Sequence, residues 1–227
     1  MYKRQTKAYD VEKALREVAH RLQPDCLLVL LTNGMGLAEI ARATCPGATL
    51  YCGTTTEGAF IEPTGIVCHA GRGLTMVGSQ DDPATPDWFR SWRGMTLECR
   101  WEEQITDALW HKLAINCAIN PLTALHGCRN GELLQQAPLK EALQAICAEI
   151  AEISMALGYT RTAAGIHEDA VAVAAATADN RSSMLQDVAH KRPTEIDFIT
   201  GYLVRRAEDA GIPVPRNQAL LQELRHD

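Results

Sequence analysis

Three polar residues stand out in the run Leu109-Trp110-His111-Lys112-Leu113-Ala114-Ile115-Asn116-Cys117-Ala118-Ile119-Asn120-Pro121. Lys112, Asn116 and Asn120 recur at i, i+4 and i+8, so a helix through this run puts all three on one stripe. Around them stand Leu109, Leu113, Ile115, Cys117 and Ile119, which leave little of the helix for solvent. Asparagine is a mediocre helix former because its amide competes for backbone hydrogen bonds. Two of them in an apolar helix make sense when their amides have partners. A lysine on a helix is ordinarily a solvated side chain; a lysine below two asparagines in an apolar helix invites a chemical reading. Burial penalises the ammonium form and lowers the lysine pKa, which suits a general acid near neutral pH. The amides can donate to and accept from a carboxylate or hydroxyl, and so orient a small polar substrate without adding charge.

The elements that must position this stripe read from hydrophobic spacing. Val11, Ala14, Leu15, Val18, Ala19 and Leu22 form one buried helical stripe, ended by Pro24. Cys26 to Leu31 is an unbroken apolar run, expected as a strand covered on both faces. A turn at Thr32-Asn33-Gly34-Met35-Gly36, a short helix through Ile40 and a second buried strand from Ala48 to Gly53 complete an α/β rhythm. After Thr54-Thr55-Thr56 the pattern changes to short antiparallel strands. These are Phe60-Ile61, Ile66 to Cys68 and Leu74 to Gly78, with a turn at Glu62-Pro63-Thr64-Gly65. Asp81 to Asp87 reads as a loop and Met95 to Arg100 as a last strand. From Glu102 the chain reads as helix: Ile105 to Asn120, Leu139 to Leu157 stopped by Gly158, Ile166 to Ala178, and Glu195 to Ala210 stopped by Gly211-Ile212-Pro213. A domain boundary is expected near Trp101, giving an α/β part over 1–101 and an all-α part over 102–227.

Bulk properties narrow the function classes. The chain of 227 residues is 46% hydrophobic and 22% charged, enough for a sizeable core. A net charge of −6 argues against nucleic-acid binding, which wants a basic face. No apolar run reaches the roughly 18–20 residues that span a bilayer. The start, Met1-Tyr2-Lys3-Arg4-Gln5, lacks the apolar core of a signal peptide, so a cytoplasmic protein with no membrane partner is expected. The eight cysteines, at 26, 45, 52, 68, 99, 117, 128 and 147, form no C-x-x-C pair. They read as reduced structural residues, with no metal site.

A dinucleotide-binding domain carries G-x-G-x-x-G between its first strand and first helix. Gly34-Met35-Gly36 follows a strand and opens a helix but lacks the third glycine, and Gly71-Arg72-Gly73 precedes a strand; both read as turns. Two parallel strands are too few for a doubly wound sheet. The expectation is therefore an α/β layer cut open, in a chain that begins inside a longer ancestral domain. Its exposed sheet edge would invite pairing with another chain, a homodimer being the simplest case.

The run from Lys112 to Ala124, followed by Cys128-Arg129-Asn130-Gly131-Glu132-Leu133, resembles the ketopantoate reductase (2-dehydropantoate 2-reductase) family. So do Asn33-Gly34-Met35-Gly36, Gly53-Thr54-Thr55-Thr56, Asn180 to Asp187 and Thr194-Glu195-Ile196-Asp197, all in family order from Lys7 to Pro215. The resemblance implies a truncated Rossmann-like domain with added antiparallel strands. An all-α domain of the 6-phosphogluconate dehydrogenase C-terminal-like type would follow it. It implies NADPH-dependent reduction of 2-dehydropantoate to pantoate, on the way to pantothenate and coenzyme A. Lys112 would be the proton donor, and Asn33, Asn116, Asn120, Asn130 and Ser183 would hold the substrate. Lys7, Asn33, Ala59 and Glu195 would face the cofactor, NADP(H). The glycine-rich phosphate loop and the basic residue that selects the 2′-phosphate are absent, which would cost cofactor affinity.

Blander readings stand beside these. Glu195 after Pro193-Thr194 suits a helix N-terminus, Ser182-Ser183 suits a cap, and Asn33 before Gly34 is an ordinary turn residue. At the level of function, an inactive homologue that binds a small 2-oxo or 2-hydroxy acid and a reductase of another 2-oxo acid remain open.

Overall fold

The computed structural model describes residues 6–61, 64–94 and 96–225. Met1 to Gln5, Glu62-Pro63 of the expected turn and Met95 of the expected last strand lie outside the described residues. The chain forms two compact units: Met1–Thr32 with Leu37–Leu109, and Asn33–Gly36 with Trp110–Asp227.

In the first unit a 3₁₀ turn (Ala8–Asp10) leads into α1 (Val11–Ala19), which buries Val11 and Leu15. The expected helix through Leu22 stops three residues early. Arg21 N bonds Val18 O and Leu22 N bonds Ala19 O, tightening the end into i→i−3 turns ahead of Pro24. Strand β1 (Leu27–Leu31) crosses over through α2 (Leu37–Thr44) to the parallel β2 (Thr49–Thr55), in the register Leu28↔Leu50 and Leu30↔Cys52. Strands β3 (Gly58–Ile61) and β4 (Val67–Gly71) pair antiparallel as a separate ribbon. Strand β5 (Leu74–Gly78) returns antiparallel to β2; after α3 (Asp87–Arg90), β6 (Glu98–Trp101) joins it in parallel. The sheet order is β1-β2-β5-β6.

A further expectation for this unit fails. The Cys26–Leu31 run is not covered on both faces: Leu30 is buried, but Leu27 is 44% and Leu31 46% exposed. Within the described residues β1 ends the sheet. Of the face bearing Leu27, Val29 and Leu31, Val29 packs against the aromatic cluster of Tyr51, Val77 and Phe89. The expected loop holds from Asp81 through Pro86, and helix begins at Asp87. Helix α3 drives Trp88 and Phe89 into that cluster, with Trp88 edge-on to Tyr51 at 4.9 Å between centroids.

The second unit is helical. Helix α4 (Ile105–His126) enters it at Trp110 and is followed by α5 (Glu132–Gln135), α6 (Ala137–Ala156), α7 (Thr160–Ala176), α8 (Ser183–Ala189), α9 (Thr200–Ala210) and α10 (Pro215–Arg225). Leu113, Cys117, Leu143, Ile150, Ile166 and Leu203 belong to one buried cluster. Burying each such aliphatic side chain contributes about 1.5–3 kcal/mol. Trp110 anchors the entry of α4, donating Nε1–H to Ser154 Oγ at 2.9 Å and stacking on Tyr159 at 4.7 Å.

Helix α4 does not end at Asn120 as expected; it carries Pro121 in its interior and continues to His126. Tertiary packing overrides the proline, since Ile119, Leu122, Thr123 and Ala124 are all buried. Helix α9 starts at Thr200 rather than Glu195. Residues 195–199 form turns in which Phe198 N and Ile199 N both donate to Glu195 O. Helix α7 starts at Thr160, ahead of the expected Ile166, and ends at Ala176.

Candidate functional site

The polar stripe of α4 lies in the second unit. Lys112 and Asn116 are half-buried and Asn120 is buried, while Leu113, Ala114, Cys117 and Ala118 between them are fully buried. Burial among these apolar neighbours pushes the Lys112 amine down from 10.5 to about 8, and the negative charge of Glu195 opposes the fall. Lysine therefore sits where it can exchange a proton near neutral pH.

Glu195 is 4% exposed and accepts from Asn33 Nδ2 at 3.3 Å. The Asn33–Gly36 turn is fastened to the segment that carries Glu195, since Met35 N donates to Phe198 O at 3.0 Å. Gly34 has φ +80°, and a Cβ there would come within 2.6 Å of Phe198 O, so only glycine fits. The turn is thus packed against residues 195–199. Glu195 is delivered by a braced loop after α8. Arg192 pairs with the buried Asp187 at 3.0 Å, Arg192 N donates to Asp187 O at 2.8 Å, and Lys191 takes φ 53°.

Asn130 is buried at the end of α7. Its Nδ2 donates to Thr177 Oγ1 at 2.8 Å, and its backbone N–H to Asn180 O at 3.1 Å. Its Oδ1 is buried and has no hydrogen-bond partner among the described residues. Gly131 beside it allows this approach, because a Cβ would meet Ala178 Cβ at 2.7 Å. Ser182 caps α8, its Oγ accepting from Leu185 N at 3.1 Å, which leaves Ser183 half-buried as the first helical residue.

The structure therefore groups Asn33, Glu195 and Lys112, and it ties the turn of Asn120 to Ser182, the neighbour of Ser183, through Thr123. Lys7 and Ala59 stand in the first unit: Lys7 half-buried before the 3₁₀ turn, Ala59 on β3 opposite His69. Thr123, Thr177 and the Asp187–Arg192 pair escaped the sequence reading. Thr123 had a readable signal, lying three residues beyond Asn120 and so on the same helical face. Among the described residues no cluster of His, Cys, Asp or Glu is suited to a metal ion, and no helix is long and apolar enough to cross a membrane.

Comparison with known proteins places the chain. The family model for ketopantoate reductase PanE/ApbA matches residues 5–82, and that for the ketopantoate reductase PanE/ApbA C terminal matches residues 104–227. A 2-dehydropantoate 2-reductase of Vibrio cholerae is 40% identical over 222 residues, covering 96% of this chain and 74% of the relative. The crystal structure of a probable 2-dehydropantoate 2-reductase from Bacillus subtilis superposes with a TM-score of 0.79 at 28% identity, over 98% of this chain and 75% of that one. The ternary structure of D-mandelate dehydrogenase with NADH and anilino(oxo)acetate shares the fold, with a TM-score of 0.89 at 22% identity over 98% of this chain and 73% of that one. With its α/β unit and its helical unit each matched in this way, the chain belongs to the ketopantoate reductase family.

Proposed function

We propose that the protein reduces 2-dehydropantoate to pantoate with NADPH, Lys112 serving as the proton donor. The observation that carries this reading is the half-buried Lys112 amine, lowered to about 8, with the Glu195 charge acting on it and two amides above it on the same stripe.

The residues fit the reacting half of a nicotinamide dinucleotide. Asn33 offers an amide and Glu195 a buried carboxylate, a donor and an acceptor suited to carboxamide and hydroxyl groups. When bound, the reduced nicotinamide supplies the hydride that reaches the keto carbon. Lys112 gives its Nζ proton to the keto oxygen as the C=O bond becomes CH–OH, and regains a proton from solvent. Glu195 keeps the amine in its charged form until then, because an anion nearby favours ammonium. Asn116, Asn120 and Ser183 orient the oxo acid by neutral hydrogen bonds. The buried Asn130 Oδ1 is an acceptor for the substrate's terminal hydroxyl. Orientation, proton transfer and charge stabilisation together are enough for carbonyl reduction.

The test is to titrate pure protein with NADPH, add 2-dehydropantoate and follow loss of the reduced-nicotinamide absorbance. A panel of branched 2-oxo acids run in parallel should rank 2-dehydropantoate first. Saturable binding with turnover supports the reading. Binding of the acid without NADPH binding or turnover would return the protein to the inactive-homologue reading.

A further inference from the structure

Thr123 has no assigned part in substrate or cofactor binding, yet its side chain is completely buried at the point where α4 is weakest. Pro121 has no N–H, so the carbonyl one turn earlier, that of Cys117, loses its helical partner in the turn that carries Asn120. Thr123 Oγ1 folds back onto that same turn, 3.1 Å from Ile119 O and 3.0 Å from Asn120 O. Its third contact leaves the helix: Ser182 Oγ lies 2.7 Å away. Ser182 Oγ in turn accepts from Leu185 N and so fixes the first turn of α8, which begins with Ser183. A hydroxyl has one proton, so Thr123 gives its own either to Ser182 or to the carbonyls of its helix. In either case the buried hydroxyl pair is closed. One buried contact thus joins the turn bearing Asn120 to the residue preceding Ser183.

We infer that Thr123, acting through Ser182, is a positioning residue that sets the spacing between Asn120 and Ser183 and thereby the fit of the 2-oxo acid. The inference rests on the proposed reading of Asn120 and Ser183 as substrate-binding side chains. Val is nearly the shape of Thr without the hydroxyl, so Thr123→Val deletes the contact with little change in packing volume, while Thr123→Ser retains it.

The experiment measures KM and kcat for 2-dehydropantoate, NADPH affinity and melting temperature for the wild type, T123V, T123S, S182A, N120A, S183A and the T123V/S182A double variant. T123V should raise KM by about tenfold or more while NADPH affinity stays within about twofold. T123S should restore KM to within about threefold of wild type. The double variant should be no worse in KM than T123V, because both changes break one contact. Should T123V fail to fold, S182A carries the same comparison. A wild-type KM in T123V or S182A beside raised values in N120A and S183A overturns the positioning role alone, whatever the melting temperature does. Wild-type KM values in N120A and S183A overturn the substrate-site reading, and the inference with it.

Discussion

Asn33 and Glu195, 162 positions apart in sequence, meet through a 3.3 Å hydrogen bond from Asn33 Nδ2 to Glu195 Oε2. The bond joins two residues that the family resemblance put at the cofactor, although each has a bland local reading, as turn residue and as helix start. It holds the Asn33 turn against the carboxylate whose charge acts on Lys112.

The Lys112–Glu195 coupling predicts a pH profile. An amine lowered to about 8 is charged below that pH and loses its proton above it. The rate constant kcat/KM should therefore fall as pH rises through about 8. Glu195 raises this pKa, so Glu195→Gln removes the raising charge and should move the basic limb to lower pH. An unshifted limb in E195Q would remove Glu195 from that role.

The Asn33 turn should be intolerant of side chains. Gly34→Ala combines a positive φ with a 2.6 Å approach to Phe198 O. Such strain costs about 1–3 kcal/mol, so calorimetry should show a lower melting temperature. The displaced Asn33 should also lower kcat/KM beyond what the lost stability explains.

Asn130→Ala removes both the bond to Thr177 and the buried acceptor. KM for 2-dehydropantoate should rise by about tenfold or more with kcat less affected. An equal loss for a 2-oxo acid lacking the terminal hydroxyl would show that Asn130 does not read that group.

Thiol chemistry checks the interior independently. Burial pushes the Cys52 thiol up to about 11 and the Cys147 thiol to about 12, and raises that of the completely buried Cys117. These three should label with an aromatic disulfide reagent only on unfolding, whereas the half-buried Cys26 should label in the native state.

Much of this was legible in the sequence because it rests on local periodicity. The i, i+4, i+8 spacing marked Lys112, Asn116 and Asn120, and the change from strand to helix patterning marked the run of helices that follows β6. What escaped depends on contacts between residues far apart. Pro121 reads as a helix end, yet buried neighbours on both sides carry the helix through it. Glu195 reads as a first-turn residue, yet the turns of 195–199 precede the helix and receive the Asn33 turn. The apolar run of β1 reads as doubly covered, yet Leu27 and Leu31 are exposed where the sheet has no further neighbour among the described residues. Thr123 shares a helical face with Asn120, but its partner Ser182 lies 59 positions away and carries no periodic signature, nor does the Asp187–Arg192 pair.

The most direct measurement compares wild type with Lys112→Met in the NADPH-dependent reduction of 2-dehydropantoate, with melting temperature recorded alongside. Methionine fills the same apolar surroundings without an ionisable group. The account predicts a fall in kcat of about 10²–10⁴-fold, no loss of melting temperature at neutral pH, and disappearance of the basic limb near pH 8. Turnover at the wild-type rate with the limb intact would contradict it.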